Sequence, residues 1–282
     1  MLATVHRATA WADDRAALRA ACEPGVGLCT IVGIEGSFSR RLGAQLAVHP
    51  DGAITGSLAD GCLEKQLASE VAAASEPVVK RFGAGSELID FRLPCGSGLD
   101  VLIDPAPDRA ACRAVAERLD AREAAALSLP TGLLAERRYI PALQLQLFGE
   151  GPELEALVAL AGAAGVEALA HGKDALSLGR HPAGLSADPW TAAVLLFHDH
   201  EWEQAILEWA LATPAFYIGA QGGFEARRIR LERLAAGGAE PDQLGRIRSP
   251  IGAIAHSREP GVLALSVLAE IVGAYEALHP HG

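Results

Sequence analysis

Apolar residues in the second half of the chain alternate between strand-like runs and helix-like spacing. Continuous apolar runs predict strands at 143–148, 166–170, 192–197 and 215–218. Apolar positions at helical spacing predict helices at 153–164, 202–211, 224–236 and 260–278. Strands and helices that alternate in this way are typical of a parallel sheet with helices on both faces. We therefore predict an α/β fold in which residues 141–282 form a Rossmann-like, doubly wound parallel-sheet domain.

The first half of the chain has shorter apolar runs that are separated by turn residues. Helices are predicted at 11–21 and 62–74, and strands at 26–34, 44–48, 53–55, 78–82, 88–93 and 99–103. The turn Pro50-Asp51-Gly52 between two short apolar strands is a strong β-hairpin signal. These features predict an N-terminal α+β accessory domain, with mostly antiparallel pairing, over residues 1–106.

Proline and glycine mark the connection between the two halves. An Ala- and Arg-rich helical stretch follows Asp104-Pro105-Ala106-Pro107, and Leu129-Pro130-Thr131-Gly132 interrupts the chain again. Proline and glycine residues in this arrangement are typical of a connection between domains. We therefore expect residues 107–140 to form a helical connection.

The composition argues against several classes of function. With 24 basic and 35 acidic residues, the net charge of −11 opposes binding to nucleic acid and to anionic membranes. The N-terminal sequence lacks the features of a signal peptide, and no apolar run reaches membrane-spanning length, so we expect a cytoplasmic protein. The five cysteines form no CxxC pair, which fits neither a structural zinc site nor a disulfide framework.

Three Gly- and Ser-containing segments of the first domain carry candidate chemistry: GSFSRRLGA, GSLADGCLE and PCGSG. Gly-Ser pairs expose backbone N–H groups, arginines supply positive charge, and a cysteine that begins a helix lies where the thiolate is favoured. This combination suits an anion or a soft ligand, although turn glycines and cysteines packed as small apolar residues would give the same pattern. The candidate cofactor-binding residues are Gly36, Ser37, Arg40, Gly43, Gly56, Ser57, Gly61, Cys62, Glu64, Cys95 and Gly96. Cys62 and Cys95 are also the candidate metal ligands.

Three turns at predicted strand ends in the second half carry the other candidates. The turns after 143–148 and 215–218 are Gly-rich and lead into helices, the context in which parallel sheets bind anionic ligands. Leu154 replaces the third glycine of the dinucleotide fingerprint, so a purely structural turn stays an alternative. The third turn contains His198-Asp199-His200, which suits a ligand-contacting loop, a helix cap or a metal site. The candidate residues are Gly149, Gly151, His198, His200, Gly219 and Gly222.

The helix that follows the last of these turns is rich in arginine. Arg227, Arg228, Arg230 and Arg233 lie close to the Gly-rich turn and would suit an anionic ligand. Charged residues at this spacing more often form a solvated helix face, which is what we expect for most of them.

Taken together, these segments resemble the xanthine dehydrogenase accessory protein family of the XdhC/CoxI type. The matching blocks, in chain order, are GSFSRRLGA, TGSLADGCLE, CGSGLDVLIDP, LFGEGPELEAL, FHDHEWE, YIGAQGG and RLERL through SPIGAIAHSREPGVLALSVLAEIV. The resemblance implies a protein that binds molybdenum cofactor (molybdopterin) during its sulfuration. It further implies delivery to an apo molybdenum hydroxylase of the xanthine dehydrogenase type, with a cysteine desulfurase as a partner.

This chain departs from the family pattern at several positions. Ser39 and Leu42 replace family prolines, Gln45 replaces a basic residue, Asp60 and Ser97 replace glycines, and Gly223-Phe224-Glu225 stands where the family has Ser-Arg-Arg. The family residues at Arg40, Cys62, Glu64 and Cys95 are retained. The resemblance therefore implies a working site in the first domain and an altered phosphate grip in the second.

Two other functions compete with this cofactor carrier. An NAD(P)-dependent oxidoreductase would use the Rossmann-like half, but the fingerprint is incomplete and no acid is evident to hold a ribose. A metal hydrolase would centre on His198 and His200, but a third convergent ligand is lacking. A carrier needs no catalytic set, so we expect a protein that is not an enzyme. Nucleotide binding and the number of subunits, a homodimer included, stay open.

Overall fold

The computed structural model describes residues 14–59, 61–86 and 96–280, and these residues fall into two compact units. The described residues up to Pro141 form the N-terminal unit, and those from Ala142 to Leu278 form the C-terminal unit. No helix within the described ranges is long and apolar enough to cross a membrane.

The N-terminal unit contains a five-stranded antiparallel sheet. Its strands are β1 (Gly27–Glu35), β2 (Gln45–Val48), β3 (Ile54–Gly56), β4 (Val78–Gly83) and β5 (Gly98–Asp104), in the order β3-β2-β1-β5-β4. All four pairings are antiparallel, which confirms the sequence prediction. The hairpin turn between β2 and β3 is closed by Asp51, whose Oδ1 accepts a hydrogen bond from Ala53 N at 2.9 Å. The strand predicted at 88–93 lies outside the described residues.

Helices pack on both faces of this sheet because successive strand residues point to opposite sides. The helices are α1 (Asp14–Ala20), α2 (Cys62–Ala73) and α3 (Arg109–Asp120). On one face, Leu28 of β1 packs with Leu18 of α1 and Val115 of α3. On the other face, its neighbour Cys29 packs with Leu67 of α2. The two faces thus have separate apolar cores.

Residues 107–140 differ from the expected helical connection. After α3 the chain forms a hairpin of β6 (Ala125–Ser128) and β7 (Glu136–Tyr139), which pair with each other. Leu127 and Tyr139 join the core that contains Leu18, so this segment belongs to the N-terminal unit. The prediction failed because the inward side of β7 carries Arg137 as well as Tyr139. With a charged residue at a buried position, the sequence does not show the alternation of apolar and polar residues that is typical of a strand.

The C-terminal unit contains a five-stranded parallel sheet, as the sequence predicts. Its strands are β8 (Gln144–Gly149), β9 (Glu167–His171), β10 (Thr191–Leu196), β11 (Tyr217–Ala220) and β12 (Ile247–Arg248). They lie in the order β9-β8-β10-β11-β12, and every pairing is parallel. The chain order reverses between β8 and β10, and doubly wound sheets bind their ligands at such a switch point.

Helices cover this sheet on both faces. They are α4 (Pro152–Ala163), α5 (Glu203–Leu211), α6 (Phe224–Ala236), the short α7 (Pro241–Gly245) and α8 (Pro260–Glu276). Apolar residues of α5 and α6 form one core with Phe148 and Leu195 of the sheet. On the other side, α4 packs against α8 and β9. The sequence pattern did not predict α7 and β12, because five and two residues are too short to show a period.

Candidate functional site

The loop between β3 and α2, residues 57–61, is built around the carboxylate of Glu64. Glu64 is buried, and its Oε1 accepts hydrogen bonds from the backbone N–H groups of Leu58 at 3.0 Å and Ala59 at 2.6 Å. Its Oε2 accepts another from Gly61 at 2.7 Å. Burial alone would raise the pKa of Glu64, but these backbone donors outweigh it and lower the pKa below its ordinary value. A charged, buried carboxylate therefore fixes the shape of the loop.

Arg40 binds the same loop from its exposed side. Its Nε donates to Ser57 O at 3.2 Å and its Nη2 to Ser57 Oγ at 3.3 Å. Its Nη1 donates to Ser39 O at 3.4 Å. Among the described residues, these contacts use three of the five N–H groups that a guanidinium carries. Asp60 of the loop lies outside the described residues. The side chain of Arg40 is exposed, so an anion can approach it.

Cys62 is the first residue of α2 and directly follows the loop. Its side chain is exposed, which contradicts the structural alternative of a cysteine packed at a tight turn. Cys29 and Cys112, by contrast, are buried, and burial raises the pKa of each thiol to about 12. Cys95, the other candidate thiol, lies outside the described residues. Cys22 is half-buried and its Sγ donates to Leu18 O at 3.4 Å, so Cys62 is the one exposed thiol among the described cysteines.

The remaining candidates of the N-terminal unit hold the backbone together. Gly43 lies against the buried Arg137, whose Nε donates to Gly43 O at 2.6 Å. A Cβ atom at Gly43 would lie 2.6 Å from Arg137 Cδ. A Cβ atom at Gly56 would lie 2.7 Å from the carbonyl oxygen of Gln45. Close packing thus accounts for both glycines, and no local pattern in the sequence predicts that Arg137 would be the buried neighbour of Gly43.

The segments around Gly36 and Gly96 are joined by a serine. Ser97 Oγ donates a hydrogen bond to the carbonyl oxygen of Ser37, and Gly36 packs beside the same hydroxyl. Gly36 has φ +84°, in the left-handed region that favours glycine. Gly96 has φ +70° and open space where a Cβ atom would stand. The described parts of the first and third candidate segments therefore meet.

In the C-terminal unit, the turns after β8, β10 and β11 lie at one edge of the sheet. These strands are parallel neighbours, with Gly149 opposite Leu196 and Leu195 opposite Ala220, so their carboxyl ends lie side by side. A Cβ atom at Gly149 would lie 2.8 Å from Leu196 O, so only glycine fits this approach of two strands. Gly151 has φ +87° and leads into α4. This edge is where doubly wound sheets bind ligands.

The switch point between β8 and β10 carries more acidic than basic groups. Lys173 Nζ lies 3.5 Å from Glu150 Oε2 and 3.7 Å from Asp199 Oδ2. His198 Nε2 lies 3.5 Å from Glu153 Oε2, a separation that leaves this buried oxygen without a hydrogen bond among the described residues. Carboxylates that surround a single lysine do not favour a pyrophosphate. Sequence reasoning did not select Lys173 as a site residue. Its position directly after β9, at the carboxyl end of a parallel strand, is the signal that could have found it.

The two histidines after β10 contact different carboxylates. His198 faces Glu153, whereas His200 Nδ1 lies 3.2 Å from Glu203 Oε2. Within the described ranges, no three His, Cys, Asp or Glu side chains form a group that could hold a metal ion. The geometry of this turn therefore gives no support to a metal hydrolase.

Arg230 of α6 is buried, so the expectation of a solvated arginine face is wrong for this residue. Its Nε and Nη2 bind the carboxylate of Glu203 at 3.0 Å and 2.9 Å. Its Nη1 donates to Ser249 Oγ at 2.7 Å and its Nη2 to Gln221 O at 2.7 Å. Arg228 does lie on the exposed face, paired with acidic residues of the same helix. Arg230 thus joins α5 to the turns that follow β11 and β12.

The Gly-rich turn after β11 begins later than the sequence suggested. Gly219 lies within β11, and a Cβ atom there would lie 2.8 Å from a side-chain carbon of Ile251. The turn itself starts at Gln221. Gly222, with φ +123°, is in the turn itself. The two candidate glycines therefore have different roles: Gly219 permits close packing of the sheet, and Gly222 allows the chain to enter α6.

Comparison with known proteins adds to this geometry. Residues 145–271 match the model of the XdhC Rossmann domain, and residues 19–83 match that of the XdhC and CoxI family. The Molybdenum cofactor insertion chaperone PaoD of Escherichia coli (strain K12) is 32% identical over 286 aligned positions, which cover 92% of this chain and 88% of PaoD. A crystal structure described as a xanthine dehydrogenase from Bacillus halodurans has the same fold, with a TM-score of 0.72. That similarity comes with 21% identity and covers 95% of this chain and 97% of the other.

The two matched models lie in the two units that the structure separates, and the similarity to PaoD extends through both. The resemblance drawn from the sequence blocks is thereby confirmed. This chain belongs to the XdhC and CoxI family.

Proposed function

We propose that this protein is a carrier that binds molybdenum cofactor and delivers it to a molybdenum hydroxylase of the xanthine dehydrogenase type. The observation that carries the proposal is that an exposed guanidinium, Arg40, binds Ser57 in the loop that directly precedes an exposed thiol, Cys62. The printed name of PaoD, a molybdenum cofactor insertion chaperone, supports the same assignment.

The residues of this loop suit the chemistry of the cargo. Molybdenum cofactor combines a metal held by sulfur with a phosphate group, so a carrier needs a soft ligand and a cation. Arg40 would bind the phosphate through the N–H groups that the described residues of the loop do not use, because guanidinium and phosphate geometries match. Cys62 would supply the soft sulfur ligand. Glu64 holds the loop in shape and acts as a positioning residue.

The finer steps of the proposal concern partners. We propose that the cofactor is held during its sulfuration, with a cysteine desulfurase as the sulfur source and the apo hydroxylase as the acceptor. An exposed thiol at a helix start is open to both proteins, whereas a buried one would not be. A homodimer remains a prediction that light scattering on the purified protein would test.

The loading experiment tests the function directly. The protein is produced in a host that makes molybdenum cofactor and is purified without oxygen. Molybdenum is then measured by mass spectrometry, and the pterin by fluorescence after oxidation. We expect both to copurify with the wild-type protein in equal amounts, and a preparation that carries neither would contradict the proposal.

Arg40→Ala tests the assigned phosphate contact, with Arg233→Ala as the matched control on the exposed surface of α6. Loss of a hydrogen bond to a charged group costs about 1.5–3 kcal/mol, which corresponds to about 10- to 150-fold weaker binding. An exposed arginine contributes about 0–1 kcal/mol. Titration with isolated cofactor should separate the two variants, and equal losses of affinity would refute the role of Arg40.

The oxidoreductase alternative makes a different forecast. It requires a dinucleotide at the switch point, where Glu150 and Asp199 face Lys173. Titration of the protein with NADH, followed by nicotinamide fluorescence, separates the two functions. We expect no saturable binding, because these carboxylates would repel the pyrophosphate.

A further inference from the structure

A cavity lies at the carboxyl ends of β11 and β12, and we call it the β11–β12 cavity. It has a volume of about 510 Å³. Its walls are the turn Gln221–Gly223, residues 250–257 and Leu263 of α8, all within the C-terminal unit. Pockets that bind small organic ligands have volumes of about 300–1,000 Å³, so this space is large enough for one.

The side chain of Gln221 is the unusual feature of the cavity wall. Its Oε1 is buried and has no hydrogen-bond partner among the described residues. The backbone of Gln221 is fixed on both sides, since its N–H donates to Leu195 O at 2.9 Å and its carbonyl accepts from Arg230 at 2.7 Å. Buried polar groups in proteins are almost always paired. The backbone of Gln221 is thus anchored, while its carboxamide oxygen keeps an unused acceptor that a rotation of the side chain would present to a ligand in the cavity.

The opposite wall is held in place by α8. Ser266 Oγ accepts a hydrogen bond from Ile254 N at 2.7 Å, and the carboxylate of Glu270 accepts one from Gly252 N. A Cβ atom at Gly252 would lie 2.4 Å from Ser266 Oγ, so the loop fits against the helix only with glycine there. The cavity therefore has two fixed walls.

The chemistry of the walls favours a neutral ligand. The described lining contains small and apolar residues together with Gln221, His256 and Ser257, but no lysine, arginine, aspartate or glutamate. A carboxamide offers one donor and one acceptor side by side, and it pairs with a ring edge that presents the complementary acceptor and donor. Such an edge occurs in the lactam ring of a pterin and in nucleobases.

An exposed aromatic ring follows the cavity wall in sequence. Phe224 comes directly after Gly223, and 78% of it is exposed. The XdhC/CoxI resemblance places an arginine at this position, so the chain presents a flat apolar face where a charge was expected. Aromatic side chains stack on many kinds of planar heterocycle, because each of these rings has a π-face.

We propose that the β11–β12 cavity binds a planar, neutral nitrogen heterocycle with an amide-like edge. Gln221 pairs with that edge, and Phe224 stacks on the ring. This inference rests on the proposed function to the extent that the heterocycle is a part of the cofactor, either its pterin or the base of an attached nucleotide.

The test uses the full-length protein purified without cofactor and titrated with 6-hydroxymethylpterin, whose fluorescence reports binding. CMP, GMP and inorganic phosphate are added in turn as competitors. We expect Gln221→Leu and Phe224→Ala each to weaken pterin binding by about tenfold or more, the loss of one good contact. The matched control is Gln204→Leu, which removes an exposed glutamine that pairs with Glu208 on α5. Tryptophan fluorescence during heating shows whether each variant is folded.

Each result bears on the inference. Binding that depends on Gln221 and Phe224 supports it, and stronger competition by CMP or GMP than by free pterin identifies a base as the bound ring. Unchanged affinity in folded Gln221→Leu, absence of pterin and nucleotide binding, or equally strong competition by phosphate overturns it. Cofactor that copurifies with a protein showing no heterocycle binding would overturn this assignment alone. Heterocycle binding by a protein that never carries molybdenum would overturn only the carrier function.

Discussion

The Glu64 carboxylate allows a quantitative test of how the loop of residues 57–61 is held. Glu64→Gln keeps the size of the side chain but replaces one oxygen with an NH₂ group. The amide oxygen can still accept the hydrogen bonds from Leu58 and Ala59. The backbone N–H of Gly61 then faces the NH₂ group, so a donor meets a donor where Oε2 accepted at 2.7 Å. The negative charge is lost as well.

The magnitude follows from the hydrogen bond that is broken. A hydrogen bond to a charged group contributes about 1.5–3 kcal/mol, and each 1.4 kcal/mol changes an equilibrium constant about tenfold. The free energy for opening the loop should fall by that amount. Amide hydrogen exchange in the loop should therefore accelerate by about 10- to 150-fold at neutral pH.

Hydrogen exchange measured by mass spectrometry resolves this effect without unfolding the two units. A peptide that spans residues 57–64 reports the loop, and a peptide from β8 serves as the internal reference. Glu76→Gln is the matched control, since Glu76 is exposed beyond the end of α2 and should change exchange very little. Wild-type exchange rates in the loop of Glu64→Gln would refute the role assigned to this carboxylate.

The effect of Glu64→Gln on hydrogen exchange in the loop should depend on pH. The folded pKa of Glu64 is lowered, so the carboxylate stabilises the loop above the unfolded pKa of about 4.3 and loses that effect as the pH falls through the folded value. The difference in protection between wild type and Glu64→Gln should therefore shrink in acid. A difference that stays constant, or grows, as the pH is lowered through that range would contradict the assignment.

Three further predictions concern other residues. Arg230→Ala removes the guanidinium from the buried Glu203 carboxylate, leaves only the more exposed His200 beside it, and should destabilise the C-terminal unit by about 3–5 kcal/mol, as measured by tryptophan fluorescence in urea. Gly149→Ala places a Cβ atom 2.8 Å from Leu196 O and should cost about 1–3 kcal/mol in the same assay, whereas wild-type stability would contradict the packing described. Iodoacetamide should modify the exposed Cys62 well before Cys112, whose pKa burial raises to about 12, and equal rates by mass spectrometry would refute this difference.

Much of the fold could be predicted because apolar periodicity reports which side of an element is buried. The helix predicted at 224–236 has those bounds in the structure, and both sheet types were predicted correctly. The hairpin of β6 and β7 was missed because its inward positions include Arg137. The buried guanidinium of Arg137 donates a hydrogen bond to Gly43 O and lies over the Tyr139 ring. Hydropathy describes a residue alone and gives no information about a polar side chain that is satisfied by distant partners.

The same limit applies to the candidate site. The residue types of the loop at 57–61 indicated an anion or soft-ligand site, because glycine, serine, arginine and cysteine have clear local chemistry. The expectation that most arginines of α6 face solvent could not single out Arg230, because its partner Glu203 lies 27 positions earlier in the chain. Gln221 was part of a glycine-rich turn in the sequence, and only the three-dimensional arrangement shows that its carboxamide oxygen is buried without a hydrogen-bond partner among the described residues.

The arginines of α6 have a consequence for the energetics of the β11–β12 cavity. Arg230 holds the carbonyl of Gln221 and the hydroxyl of Ser249, and Arg227 donates to the carbonyls of Ile247 and Ser249. One helix thus fastens the starting points of both loops that form the walls. A ligand enters a space that is already shaped, so binding orders few loop residues and loses little conformational entropy. In calorimetry, the heat capacity of binding should then reflect the surface that the ligand buries, without the large contribution of a segment that folds around it.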